Sequence, residues 1–391
     1  MPSPVPTPAS VSTDPLALYV HWPFCVSKCP YCDFNSHVRE QVDADAWRDA
    51  LLADLRHEAA LTSGRALSSI FFGGGTPSLM PPALVAALID AATQYWPPVP
   101  DLEITLEANP SSVEAARFAD LAGAGVNRVS LGLQALKDEA LHFLGRAHDV
   151  AEGLAALDVA QSVFQRVNFD LIYARPGQSE SDWAAELTRG LSFGTDHLSL
   201  YQLTIEPGTR FATLVAQGEL VPADSDHAAT LYEQTQEMTA AAGIPAYEIS
   251  NHARPGQESR HNLTYWRYGD YAGIGPGAHG RRLGMATLRH RKPENWMSAV
   301  RRNEHGLQRE EKLAPQDRAR EALLMGLRLA EGVDLERIAR LSGLAESDLV
   351  DAKALGQLSG YGLVSKRGRV LRVEPAGMLL LDAILPEIVA V

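Results

Sequence analysis

The chain has 391 residues, 46% of them hydrophobic and 21% charged, with 31 glycines and 24 prolines. Such a chain can bury a large core, which excludes disorder over most of its length, and its size suits an α/β barrel with an appendage. A formal net charge of −13 argues against nucleic acid as a partner, because a phosphate backbone attracts a basic surface.

The first segment, MPSPVPTPASVSTDP, has no basic n-region and no apolar h-region. It reads as a disordered tail over residues 1–15 and not as a secretory signal. The most apolar stretch, Met378 to Val391, is interrupted by Asp382, Pro386 and Glu387. A transmembrane segment needs roughly 18 to 20 apolar residues, so none is expected and the chain reads as cytoplasmic.

A strand is expected at 16–22 (LALYVHW), and just beyond it lie all three cysteines of the chain, Cys25, Cys29 and Cys32, in CVSKCPYC. An odd count cannot close into intramolecular disulfides, which points to a reducing compartment. Three thiols so close together suit two metal chemistries. Zinc normally takes four ligands, and His21 or His37 is available as the fourth. A [4Fe–4S] cubane takes three thiolates from a wrapped loop and leaves its fourth iron open to a small molecule. Pro30 biases Cys29 away from the α region, so the motif is a loop and not a helical turn.

Further strands are expected at 68–72, 102–107, 128–133, 167–173 and 197–205, with an extended segment at about 245–250. Amphipathic stretches such as AWRDALLADLRHEAAL and PPALVAALIDAATQYW lie between them. Strand and helix alternate as in a parallel α/β sheet, whose ligands sit at the C-terminal strand ends. Gly73, Gly74, Gly75, Thr76 and Pro77 fall at one such end, and Glu107, Gln134, Arg146 and Asp170 fall at or near others. The glycines allow bare backbone to approach a ligand. Each polar residue alone reads better as a helix cap or surface pair, and only together do they suggest a ligand site.

The CxxxCxxC spacing resembles the signature of the radical S-adenosylmethionine (SAM) superfamily, and GGGTP some 45 residues later is similar to its SAM-contacting segment. The resemblance implies a partial (β/α)6 barrel, with SAM chelating the open iron of a cluster held by Cys25, Cys29 and Cys32. It further implies SAM contacts from Tyr19, Tyr31, Gly74, Gly75, Thr76, Glu107, Gln134, Arg146 and Asp170. Within the superfamily the chain is similar to the oxygen-independent coproporphyrinogen oxidase branch from about Leu16 onward. It departs from the oxidase at Phe34, where that enzyme carries a further cysteine, and in having no long N-terminal extension.

His261-Asn262-Leu263-Thr264-Tyr265-Trp266 matches the HNxxYW signature of the HemW haem-chaperone subfamily. Imidazole is a natural axial ligand of haem iron, and aromatic rings pack on a macrocycle. The resemblance therefore implies haem binding by His261, Tyr265 and Trp266. The bland alternative is a surface histidine ahead of a core aromatic cluster, since the chain holds 12 histidines. His279, in GIGPGAH at 273–279, is a weaker alternative ligand. The arginines between 281 and 302 read as a solvated face.

From about Ala314 the pattern is helical and ends in a hairpin, LVSK-RG-RVLRV, which together suggest a winged-helix domain. Residues 314–391 hold 10 Lys and Arg against 11 Asp and Glu, so DNA binding lacks an electrostatic footprint. The expected organisation is a barrel over 16–255, a haem-motif and connecting segment over 256–312, and a helical winged-helix-like domain over 313–391. The expected function is a haem chaperone that binds haem, a [4Fe–4S] cluster and SAM and passes haem to an acceptor protein. The alternative is a radical enzyme that decarboxylates the propionates of coproporphyrinogen III. SAM cleavage and homodimerisation are left open by the sequence.

Overall fold

The structure is a computed structural model that describes residues 14–39 and 41–391. The tail expected at 1–15 lies outside these except for Asp14 and Pro15, whose carbonyls accept hydrogen bonds from buried Arg65. Among the described residues, one sheet of 11 strands organises the larger part of the molecule. Its first six strands are β1 (Leu16–Trp22), β2 (Leu67–Gly74), β3 (Pro98–Ala108), β4 (Arg128–Gln134), β5 (Arg166–Tyr173) and β6 (His197–Gln202). All six run parallel, each beside its predecessor. Helices α1 (Ala44–Leu61), α2 (Pro82–Tyr95), α3 (Val150–Val163) and α4 (Glu180–Leu191) are among those that cross between them. This is the parallel α/β sheet that the alternation of patterns predicts and the partial barrel that the resemblance implies.

Period-two alternation decides which side chain faces which way. Leu18, Val20, Phe72, Ile104, Leu106, Val129, Leu131, Phe169 and Leu171 all join the core beneath the helices. Their neighbours Tyr19, Glu103, Thr105, Glu107, Arg128, Ser130, Asn168 and Asp170 must then project from the opposite, inner face.

Two expected strands differ. The one expected at 197–205 stops at Gln202: Leu203 N–H still reaches the Tyr173 carbonyl, but β5 ends there and offers no further partner. The extended segment expected at 245–250 is a turn that follows α5 (Ser225–Ala241) and runs through a bridge at Ala246 into a short antiparallel strand, β7 (Asn251–Ala253). The Glu248 carboxylate accepts the Ser250 N–H at 3.1 Å and also binds the Asn251 amide, which closes that turn.

The segment expected to connect two domains proves to extend the sheet. After α6 (Arg260–Trp266), strand β8 (Tyr271–Ile274) pairs in parallel with β1. Then β9 (His279–Arg282), β10 (Met285–Arg289) and, beyond α7 (Pro293–Asn303), β11 (Leu307–Lys312) add an antiparallel flank. Buried charges lock this flank to α1. Asp54 accepts from Arg289, from Trp296 Nε1 at 3.2 Å and from the backbone N–H groups of Gly275 and Gly306. Glu58 pairs with Arg282 and Arg289. The arginines expected on a solvated face at 281, 282 and 289 are thus buried.

A second core follows, built from α8 (Pro315–Gly326), α9 (Leu335–Ser342), α10 (Ala352–Gly360) and α11 (Leu381–Ile388). Leu323, Leu335, Ile338, Leu371 and Ile384 fill it together with Tyr268. A three-stranded antiparallel sheet of β12 (Val333–Asp334), β13 (Val364–Arg367) and β14 (Val370–Val373) completes it. The wing hairpin turns at Gly368, whose φ of +60° suits a residue without a Cβ.

Candidate functional site

The cysteine loop leaves β1 at its C-terminal end. Phe24 and Cys25 pair with His37 and Val38, and the Cys32 N–H closes a turn on the Cys29 carbonyl at 3.2 Å. All three thiols are half-buried. Burial pushes the Cys25 and Cys32 thiols up, and the neighbouring cysteine sulfurs add to this. Thiolates here therefore need a cationic partner. Arg146 supplies part of one, with Nη1 3.5 Å from Cys29 Sγ. Its Nη2 donates to Asn109 Oδ1 at 2.7 Å and to the Gly132 carbonyl at 3.0 Å, while its Nε is buried with no partner among the described residues. Tyr31 packs on Phe211, and its buried hydroxyl lies beside Arg146 and Cys29.

The glycine run closes against the cluster loop. A Cβ on Gly74, which has a φ of +115°, would lie 2.8 Å from the Trp22 carbonyl oxygen, and one on Gly75 would lie 2.6 Å from that of Phe24. Gly75 and Thr76 donate their N–H groups to those same two carbonyls. The bareness expected to admit a ligand is therefore also required for β2 to pass beneath the chain leaving β1. Gly74 N–H donates to Glu107 Oε2 at 3.2 Å, and Thr76 Oγ1 accepts from Asn109.

Deeper on the inner face, Glu107 is raised to about 8 by burial and, secondarily, by Asp170. Asp170 is itself pushed up by burial against the donors Ser199, Ser130 and Asn168. Tyr19 shares a hydrogen bond of 2.9 Å with His21 Nδ1, and His21 Nε2 lies 2.9 Å from the Asn35 carbonyl. Gln134 ends β4 in a left-handed conformation, φ 66°, and its buried Oε1 has no partner among the described residues. A non-glycine residue in that region marks strain held by its surroundings.

The HNxxYW motif forms α6, and this helix covers the inner face near the N-terminal halves of β2 and β3. His261 is 1% exposed. Its Nδ1 lies 2.9 Å from Ser69 Oγ, its Nε2 lies 2.5 Å from the Tyr265 hydroxyl, and its backbone N–H donates to Glu103. The imidazole stacks on Phe71, and Tyr265 meets Tyr271 edge-on. Burial lowers His261 to about 3, so it is neutral. Trp266 is half-buried at the end of α6, whereas His279 on β9 is exposed. The structure thus gathers the cysteines, Tyr31, Gly74, Gly75, Thr76, Gln134 and Arg146 at the strand ends, with Tyr19, Glu107 and Asp170 below them. It places His261 and Tyr265 on the same inner face, beyond Tyr19.

Residues 19–188 match the family model described as the radical SAM superfamily, and residues 313–380 match the HemN C-terminal domain. The chain is 37% identical to the heme chaperone HemW of Escherichia coli K12, over 96% of this chain and 98% of that protein. It belongs to the HemW family of radical SAM proteins. It is also 40% identical to the mitochondrial radical S-adenosyl methionine domain-containing protein 1 of Mus musculus, over 97% of this chain and 88% of that one. In structure it is similar to the radical SAM enzyme coproporphyrinogen III oxidase HemN of Escherichia coli, with a TM-score of 0.81 at 26% identity over 96% and 91% of the two chains.

Membership implies a [4Fe–4S] cluster and SAM, and the residues present fit both. Three thiols share one loop beside a buried cation, and among the described residues no three His, Cys, Asp or Glu side chains converge tightly enough for a single metal ion. The orphaned Gln134 Oε1 and Arg146 Nε offer an unspent acceptor and an unspent donor to a zwitterionic ligand, and the half-buried carboxyls of Glu107 and Asp170 lie on the same inner face. Asn109 and Asn35 had no motif to mark them. Glu103, Ser130, Asn168 and Ser199 were signalled only by polar residues alternating with apolar ones along each strand.

Proposed function

We propose that this protein is a haem carrier of the HemW type, which binds haem, a [4Fe–4S] cluster and SAM and passes haem to an acceptor protein. The observation that carries this reading is end-to-end similarity to proteins named heme chaperones, which spans the barrel, the antiparallel flank and the C-terminal domain alike. Three uncrosslinked thiols and the absence, among the described residues, of any helix long and apolar enough to cross a membrane fit a carrier working in the reducing cytoplasm.

In this reading Cys25, Cys29 and Cys32 hold the cluster, which supplies one-electron chemistry when bound. Arg146 serves as the cation for the SAM carboxylate. Glu107 and Asp170 accept from its ammonium and ribose groups, Gln134 and Thr76 add polar contacts, and Gly74, Gly75, Tyr19 and Tyr31 wall the site. Glu107, which burial otherwise keeps neutral, would be favoured in its ionised form by a cationic group of the ligand held beside it. His261, Tyr265 and Trp266 form the haem motif. Ligation by His261 would require its contact with Tyr265 to open, because both ring nitrogens are engaged and the ring is buried.

The test is anaerobic reconstitution of the cluster, titration with haem followed at the Soret band, and transfer to an apo-haemoprotein such as apomyoglobin. Stoichiometric uptake followed by transfer is expected; uptake no better than that of serum-free buffer with an unrelated acidic protein would contradict it. The alternative, radical decarboxylation of coproporphyrinogen III, draws support from the structural similarity to HemN. Against it stands Phe34, an exposed ring where that enzyme's pattern has a further cysteine.

A further inference from the structure

The antiparallel flank carries a row of side chains that the barrel chemistry does not use. His279 on β9 lies opposite Leu288 on β10, and Leu288 lies opposite Arg309 on β11. Cross-strand partners project from the same face of a sheet, so the three form one row. Tyr271 pairs with Arg281 on β9 and with Ala17 on β1, which places His279 on the same inner face as Tyr19 and His21. His279 is exposed, and its ring makes no hydrogen bond among the described residues. The exposed Arg291 lies near it as well: partial burial, Arg291 and Arg309 together lower His279 below the ordinary histidine range. This favours the neutral imidazole, the form that binds a metal.

The cluster loop is tied to this row. Asn35 Nδ2 donates to the carbonyls of Pro276 and Arg291, both at 2.9 Å, and a Cβ on Gly277 would lie 2.5 Å from that same nitrogen. The neighbouring Phe34 is 57% exposed, so an unspent aromatic ring is held next to the segment that carries Arg291.

We propose that the inner face of β9–β11 is the docking site for haem, with His279 as the axial ligand of the iron and Arg291 and Arg309 as partners of the two propionates. The proposal rests on the carrier reading and names its ligand. An iron porphyrin is an apolar plate with a Lewis-acidic centre and two carboxylates on one edge. This row presents an imidazole, an aliphatic residue and the Arg309 guanidinium, whose Nε lies 3.8 Å from Glu311, with the exposed Arg291 nearby, and the two guanidinium groups suit a ligand with two carboxylates. His261, by contrast, offers no free nitrogen in this structure.

The experiment is haem titration of the full-length, cluster-loaded protein, comparing wild type with His279→Gly and with Arg309→Glu, and following the Soret band and the EPR of the ferric state. His279→Gly is expected to shift the Soret band and weaken binding at least tenfold, and added free imidazole should restore the wild-type spectrum. Arg309→Glu, a change at a side chain that is 67% exposed on the edge strand β11, is expected to weaken binding several-fold without moving the band. Unchanged spectrum and affinity in both variants would overturn the site while leaving the carrier reading in place. A wild-type protein that retains no haem would overturn both.

Discussion

Arg146 donates to the sulfur of Cys29 across 3.5 Å and to the amide oxygen of Asn109 across 2.7 Å, although it lies 117 residues from the one and 37 from the other. One half-buried guanidinium thus joins the cysteine loop to the strand ends where the proposed SAM residues lie. A charge-assisted bond to sulfur favours the thiolate form. Replacing Arg146 by Met keeps the volume but removes that support. The expected outcome is slower cluster assembly and SAM binding weakened at least tenfold, read by iron and sulfide analysis and by calorimetric titration. Cys25→Ala, Cys29→Ala or Cys32→Ala should each abolish a stable cluster, since the chain has no other thiol.

Glu107 gives a pH signature. Its carboxyl is raised to about 8 in the folded protein against an ordinary 4.5. A raised acid favours folding while it is protonated, so its contribution is complete below 4.5 and is lost as pH rises through about 8. Each pH unit in that window costs about 1.4 kcal/mol. Urea unfolding of ligand-free protein should show the Glu107→Gln variant gaining on wild type from pH 5 to 8. Parallel stability curves for the two proteins would contradict this placement.

Buried neutral histidines act in the opposite direction. His21, His148 and His252 are lowered to about 4 and His261 to about 3, in each case chiefly by burial. His197 is lowered well below the ordinary value for the same reason. A depressed histidine supports folding above its unfolded value of 6.5 and loses that support as pH falls through its folded value. Stability should therefore fall steeply from pH 6.5 toward 4, by about 1.4 kcal/mol per unit for each group fully engaged. A flat denaturation midpoint over that range would be inconsistent with these rings being buried and neutral.

How legible the molecule is from its sequence depends on the range of the interaction. The strands β1 to β5 follow from local alternation, and Leu16–Trp22 emerges with the bounds its pattern suggests. The cysteine and glycine motifs mark the site because their chemistry is local. The β8–β11 flank was not legible, because its sheet membership depends on Tyr271 finding Ala17 and on Arg289 finding Asp54, 235 residues away. Nor does a motif disclose burial. HNxxYW reads as a haem motif or as a surface histidine, and neither reading discloses that Ser69 and Tyr265 occupy both nitrogens of His261.

The Asp54 cluster yields a stability prediction. Asp54 and Arg289 are both fully buried, and Asp54 also satisfies Trp296 and two backbone N–H groups. Removing one partner of a buried ion pair leaves an uncompensated charge, at a cost of about 3–5 kcal/mol. Asp54→Ala should lower the urea midpoint accordingly and loosen hydrogen exchange in residues 275–306. A change below about 1 kcal/mol would mean that the flank is held by its sheet pairing alone.

The central claim, a carrier and not a decarboxylase, is tested most directly by assaying one anaerobically reconstituted preparation for haem retention and for SAM-dependent turnover of coproporphyrinogen III. The account predicts stoichiometric haem that survives gel filtration, with no protoporphyrinogen IX formed. Sustained decarboxylation by a protein that retains no haem would contradict it.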